Sequence, residues 1–134
     1  MAIETRGLAP MLYVFDMPTS VAFYRDMLGF ELVMTSTPSD GRFDWAMFRH
    51  SGSELMLNTA YEAHARPPAP DRARIAAHAD TVIYFGCPDV EGAYEALRAK
   101  GLAIKPPVLT GYGFRALSLS DPDGYGLCFH WPVK

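Results

Sequence analysis

The chain repeats itself, and that repeat limits its folds more than any other feature. Asp16 matches Asp89 at an offset of 73 residues, and Gly29 with Gly101, Gly52 with Gly124, Leu55 with Leu127 and Leu57 with Phe129 match at 72. Ordered matches at a nearly constant spacing are the signature of one supersecondary unit used twice. The offset changes once, between the end of the first strand and the end of the following helix. At 134 residues the chain is one domain built from two packed halves, about 8–60 and about 80–132, joined by a linker at about 61–79.

Each half reads as strand, helix and three further strands. The opening strands fall at about 8–15 and 81–86, rich in branched and aromatic residues. In the second half Asp89 is placed to cap a helix whose Val90, Ala93, Tyr94 and Leu97 recur at i, i+3, i+4, i+7, with Gly101 as its stop. In the first half Thr19 or Ser20 is the expected cap, Phe23, Tyr24, Met27 and Leu28 the apolar face, and Gly29 the stop. The remaining strands are expected at about 30–36, 42–49 and 54–59, then at 102–105, 114–120 and 125–131, with turns at Ser51-Gly52-Ser53 and Asp121-Pro122-Asp123-Gly124. Pro67, Pro68 and Pro70 mark the linker, and a short helix follows from Asp71.

The segments Phe23-Tyr24-Arg25-Asp26-Met27-Leu28-Gly29-Phe30-Glu31 and Asp121-Pro122-Asp123-Gly124-Tyr125, set in paired βαβββ units, resemble the vicinal oxygen chelate superfamily, which groups glyoxalase I, bleomycin and fosfomycin resistance proteins and extradiol dioxygenases. The resemblance covers about Leu8 to Pro132. It implies an α+β fold in which two βαβββ units form curled mixed sheets around a shared cavity, usually completed by homodimerisation. It does not fix the chemistry, because one fold hosts unrelated activities.

The metal-dependent members hold a divalent ion with four side chains, from the first and last strand of each unit. Carried onto this chain, those positions fall on Ala9, Met56, Val82 and Cys128. Alanine and valine cannot ligate, methionine is a poor ligand for a hard cation, and a lone cysteine is more often a small buried hydrophobe. No metal or other cofactor is therefore expected. A two-residue shift keeps the strand face and offers Glu54 and His130, the one arrangement left for a displaced divalent cation.

Alternation along the strands places Ala9, Met11, Tyr13 and Phe15 on the cavity face, with Glu54, Met56 and Asn58 and, from the second half, Val82, Tyr84, Gly86, Gly126, Cys128 and His130. Large flexible apolar side chains beside a few polar groups suit a small, partly aromatic ligand. A filled hydrophobic core is the competing reading. Trp45 alternates with Phe43 and Met47 and is either a stacking wall or core, and Arg115 is either a fork for a ligand carboxylate or phosphate or part of a rim ion pair. The ligand-binding candidates are thus Met11, Tyr13, Phe15, Trp45, Glu54, Met56, Tyr84, Arg115, Cys128 and His130.

A net charge of −3 without a basic block gives no footprint for nucleic acid or an anionic membrane, and no apolar run approaches a membrane span. A cytoplasmic protein with a small-molecule partner is expected. Cys87 and Cys128 read as buried free thiols, and His50, His64 and His78 as polar surface. Ser118 and Ser120 lack a nucleophile-elbow context, and Asp121 and Asp123 belong to a turn, so neither a serine-hydrolase nor a paired-carboxylate glycosidase site is expected. Three functions follow, in order: metal-independent binding or sequestration of a small molecule, a metal-dependent lyase or isomerase of the glyoxalase type with a displaced site, and a non-catalytic interaction domain working through the linker.

Overall fold

The computed structural model describes residues 2–39 and 41–134 and divides into two compact units, one running to Pro67 and one from Pro68 onward. In the first, β1 (Met11–Val14) leads into α1 (Met17–Val21), a π-helical turn (Ala22–Met27), β2 (Glu31–Thr35), β3 (Trp45–His50) and β4 (Ser53–Thr59). In the second, α2 (Arg72–Ala77) precedes β5 (Val82–Gly86), α3 (Val90–Ala99), β6 (Val108–Leu109), β7 (Phe114–Ser120) and β8 (Gly126–Pro132). The sheet orders are β1-β4-β3-β2 and β5-β8-β7-β6, so both units share one topology.

The repeat is legible down to the register. Met11 pairs with Met56 across the parallel β1–β4 ladder, and Tyr84 pairs with Cys128 across β5–β8, positions that differ by 73 and 72 residues. Both first-strand to last-strand pairings are parallel and all others antiparallel. A parallel pair needs a crossover containing a helix, which α1 and α3 supply. The π turn that continues α1 and the helix α3 each give way to a glycine with positive φ, Gly29 at 81° and Gly101 at 88°, where a side chain would be strained.

In each unit one sheet face is buried. In the first it carries Leu12, Val14, Ala46, Phe48, Leu55 and Leu57, with Val21 and Tyr24 from the helical segment also in the core. Tyr24 is fully buried, its ring edge-on to Phe23 and Phe30 and tilted against Phe48. The π turn, closed by the Leu28 N–H donating to the Phe23 carbonyl, widens the helix beneath this large ring. In the second unit the core holds Phe85, Val90, Leu97, Leu117, Leu119 and Leu127.

Several local expectations need correction. The first-unit helix is capped by Asp16 and not by Thr19 or Ser20: the Asp16 carboxylate accepts the Thr19 N–H at 3.0 Å and the Thr19 hydroxyl, and Pro18 occupies the first turn, where no backbone donor is needed. The strand expected at 102–105 is irregular chain, and β6 forms later, at Val108–Leu109, where its partners Ala116 and Arg115 lie. β1 is shorter than 8–15, so Ala9 and Phe15 lie outside it. Cys87 is half-buried rather than buried, while Cys128 is buried; both are free thiols. His78 is not plain surface: its Nδ1 lies 2.7 Å from the Asp123 carbonyl and its ring stacks on Tyr125 at 4.0 Å. Asp121 and Asp123 are turn residues, as expected, and both are buried, with Asp121 accepting the Asp123 and Tyr125 N–H groups.

Candidate functional site

The opposite sheet face of the first unit is ordered in three transverse rows. Register partners share a face, so Met11, Met56, Met47 and Met34 form one line across all four strands. These are four of the chain's seven methionines. On one side of the line lies a row of Tyr13, Asn58 and Trp45. On the other lies a charged row of Glu54, Arg49 and Glu31, in which Arg49 Nη2 meets Glu54 Oε2 at 2.9 Å. Met11 is 40%, Tyr13 44% and Met34 57% exposed.

The same face of the second unit carries Val82 with Gly126, Tyr84 with Cys128 and Ser118, and Gly86 with His130 and Ala116. Tyr84, 53% exposed, is tilted against His130 at 4.9 Å between ring centroids, and Phe114 stacks on the imidazole at 4.8 Å. His130 Nδ1 is buried without a hydrogen-bond partner, a rare condition for a polar atom in a folded chain.

The candidates thus separate. Met11, Tyr13, Trp45, Glu54 and Met56 share the open face of the first sheet, and Tyr84, Cys128 and His130 that of the second. Phe15 lies beyond β1, beside Tyr61 and beneath Arg66. Arg115 takes the ion-pair alternative of its two readings: its register partner Trp131 alternates with His130, so it faces the helix side, where Nε meets the Glu91 carboxylate of α3. Its guanidinium is held in a structural ion pair and is not on the face of Tyr84, Cys128 and His130. Met34 was missed, because a bulge between Leu32 and Met34 shifts the register and no alternation pattern foretells it.

The residues present do not fit a hard divalent cation. Ala9 and Val82 bring no donor atom, Met56 sits within a thioether row, and the Cys128 thiol is buried with the Ser118 hydroxyl 3.8 Å away. Glu54, the carboxylate of the displaced arrangement, is engaged by Arg49. Among the described residues no three His, Cys, Asp or Glu side chains gather as a metal site.

No curated protein sequence matches the chain. Solved structures do. TioX from Micromonospora sp. ML1 is 18% identical and superposes with a TM-score of 0.74, covering 96% of this chain and 100% of that one. A bleomycin resistance determinant encoded on transposon Tn5 is 21% identical at 0.73, covering 97% and 100%. TnmS3, an antibiotic binding protein from Streptomyces sp. CB03234, is 22% identical at 0.70, covering 99% of each. At these identities the likeness is one of fold. The family model of the Glyoxalase/Bleomycin resistance protein/Dioxygenase superfamily matches residues 8–129, and the chain belongs to that superfamily.

Proposed function

We propose that the chain binds and sequesters a small, partly aromatic molecule on the open face of its first sheet without a metal, and that it does so as a homodimer. The observation that carries the reading is the methionine row Met11–Met56–Met47–Met34, flanked by Tyr13 and Trp45. Thioethers are polarizable, adapt their shape and pack well on aromatic rings, and a row of them, exposed at Met11 and Met34 and half-buried at Met47 and Met56, beside two aromatic side chains is a surface suited to a flat ligand. On the methionine face, Asn58 and the Arg49–Glu54 pair supply the few polar groups that orient such a ligand. The related folds of TnmS3, an antibiotic binding protein, and of the bleomycin resistance determinant support the choice of ligand class.

The test is a titration of the chain with planar aromatic compounds, neutral and cationic, in the presence of EDTA, read by tryptophan fluorescence and calorimetry. Saturable binding is expected, indifferent to EDTA and to added Mn²⁺, Ni²⁺ or Zn²⁺, and weakened about tenfold by Trp45→Ala or Met56→Ala, each of which removes one desolvated contact of about 1–2 kcal/mol. Absence of saturable binding, or binding that appears only with metal, would overturn the reading.

A further inference from the structure

A cavity lies in the first unit at the end of its sheet. It encloses about 380 Å³ and is lined by Phe15, Phe43 and Tyr61, by Arg25, Arg42 and Arg66, and by residues of α1. None of Met11, Tyr13, Trp45 or Met56 contributes to it, so it is distinct from the methionine face. We propose that this cavity is a separate binding site for a small aromatic carboxylate, gripped by Arg66 and Arg42 and walled by Phe15, Phe43 and Tyr61.

The three arginines are not equivalent. Arg25 is occupied: its Nε and Nη2 meet the two carboxylate oxygens of Asp26 at 2.8 and 3.3 Å. Arg66 is pre-positioned. Its guanidinium lies 4.2 Å from the Phe15 ring centroid, and Nη2 meets Asp16 Oδ1 at 2.9 Å. The ring face and the carboxylate fix the plane of the fork, and its remaining N–H groups have no ion-pair partner among the described residues. A planar guanidinium immobilised in this way loses little freedom on accepting a second carboxylate. Arg42 has no ion pair among the described residues, and its backbone is pinned by reciprocal hydrogen bonds with Ser39. With Arg25 neutralised by Asp26, the remaining lining charges are Arg42 and Arg66 against Asp16 and Asp44, so an incoming carboxylate would be held by the guanidinium N–H groups that Asp16 leaves open and by Arg42. The aromatic walls select a ring over a bare phosphate, and the volume admits a bicyclic acid.

The probe is 1-naphthoate at neutral pH, titrated into the ¹⁵N-labelled full chain, with 1-naphthylmethanol and 1-naphthylmethylamine as neutral and cationic counterparts. Saturable amide shifts are expected at residues 15–17, 41–44 and 61–66, with naphthoate binding at least about tenfold tighter than either counterpart. Arg66→Gln is expected to weaken naphthoate by about tenfold and Arg42→Gln by about threefold, the latter in an exposed side chain with no ion pair among the described residues. Shifts confined to Met11, Tyr13, Trp45 and Met56 would place the acid on the methionine face and overturn the proposal while leaving the proposed function intact. Equal binding of the three probes, no saturation, or an Arg42→Gln protein that keeps its spectrum and binds naphthoate unchanged would each overturn it as well.

Discussion

Asp16 does three jobs: it caps α1 through the Thr19 N–H, accepts the Thr19 hydroxyl and pairs with Arg66 from the far end of its unit. The Thr19 side-chain hydrogen bond is the largest influence on its carboxyl and, with the Thr19 N–H and Arg66, outweighs partial burial, so its pKa falls below the ordinary 3.8. A carboxyl whose folded pKa is depressed contributes stability that is fully present above the unfolded pKa and lost as pH falls through the folded one. Stability should therefore decline below about pH 4, and Asp16→Asn should flatten that acid limb while lowering stability at pH 7 by about 1 kcal/mol; denaturant unfolding across pH 2–7 checks both. Cys87 moves the other way. Burial first, then the negative charge of Asp89, raises its thiol above 9.0, so it should alkylate with iodoacetamide at pH 8 far more slowly than free cysteine, followed by mass spectrometry. At this scale the sequence was partly legible. Asp89 reads as a cap from its local pattern, but the partners that matter for Asp16 and His78, namely Arg66 and Asp123, lie 50 and 45 residues away, and no local pattern encodes them.

At the level of elements, the strands most strongly alternating in hydrophobicity were readable to within a residue or two. β7 coincides with its expected span of 114–120, β4 begins one residue earlier than expected, and β8 is displaced by a single residue. Their buried residues set the register, because a one-residue slip would turn Leu55 and Leu57 to the open face. Leu57→Ala, at a fully buried site, should cost about 2–5 kcal/mol. Gly124 has φ 86°, and a Cβ there would run into the Ile75 carbonyl oxygen and side chain of α2. Gly124→Ala should thus cost at least about 1–3 kcal/mol from backbone strain alone and loosen the packing of α2, visible as faster amide exchange at residues 72–77. What escaped the pattern were short or irregular pieces. β6 has two residues and exists only because β7 offers a partner, and the π turn serves the fully buried Tyr24 rather than any propensity of its own.

For the whole molecule, duplication explains why fold and family were legible and function was not. The matched pairs recur as matched registers, so sequence periodicity translates directly into two sheets of the same order. No helix among the described residues is long and apolar enough to cross a membrane. The open faces have diverged between the copies: one carries a methionine row with Tyr13 and Trp45, the other Tyr84, Phe114 and a His130 with an unpartnered Nδ1. Such divergence is what specificity requires, and no repeat can disclose it. Light scattering is expected to give twice the chain mass of 14.8 kDa at micromolar concentration. The most direct test of the central claim is a methyl NMR titration of ¹³C-methionine protein with a binding planar aromatic compound in EDTA. Met11, Met34, Met47 and Met56 should shift together and saturate with one affinity, while the buried Met17 stays still. A ligand that saturates without moving those four methyl groups, or that moves them only after a divalent metal is added, would contradict the account.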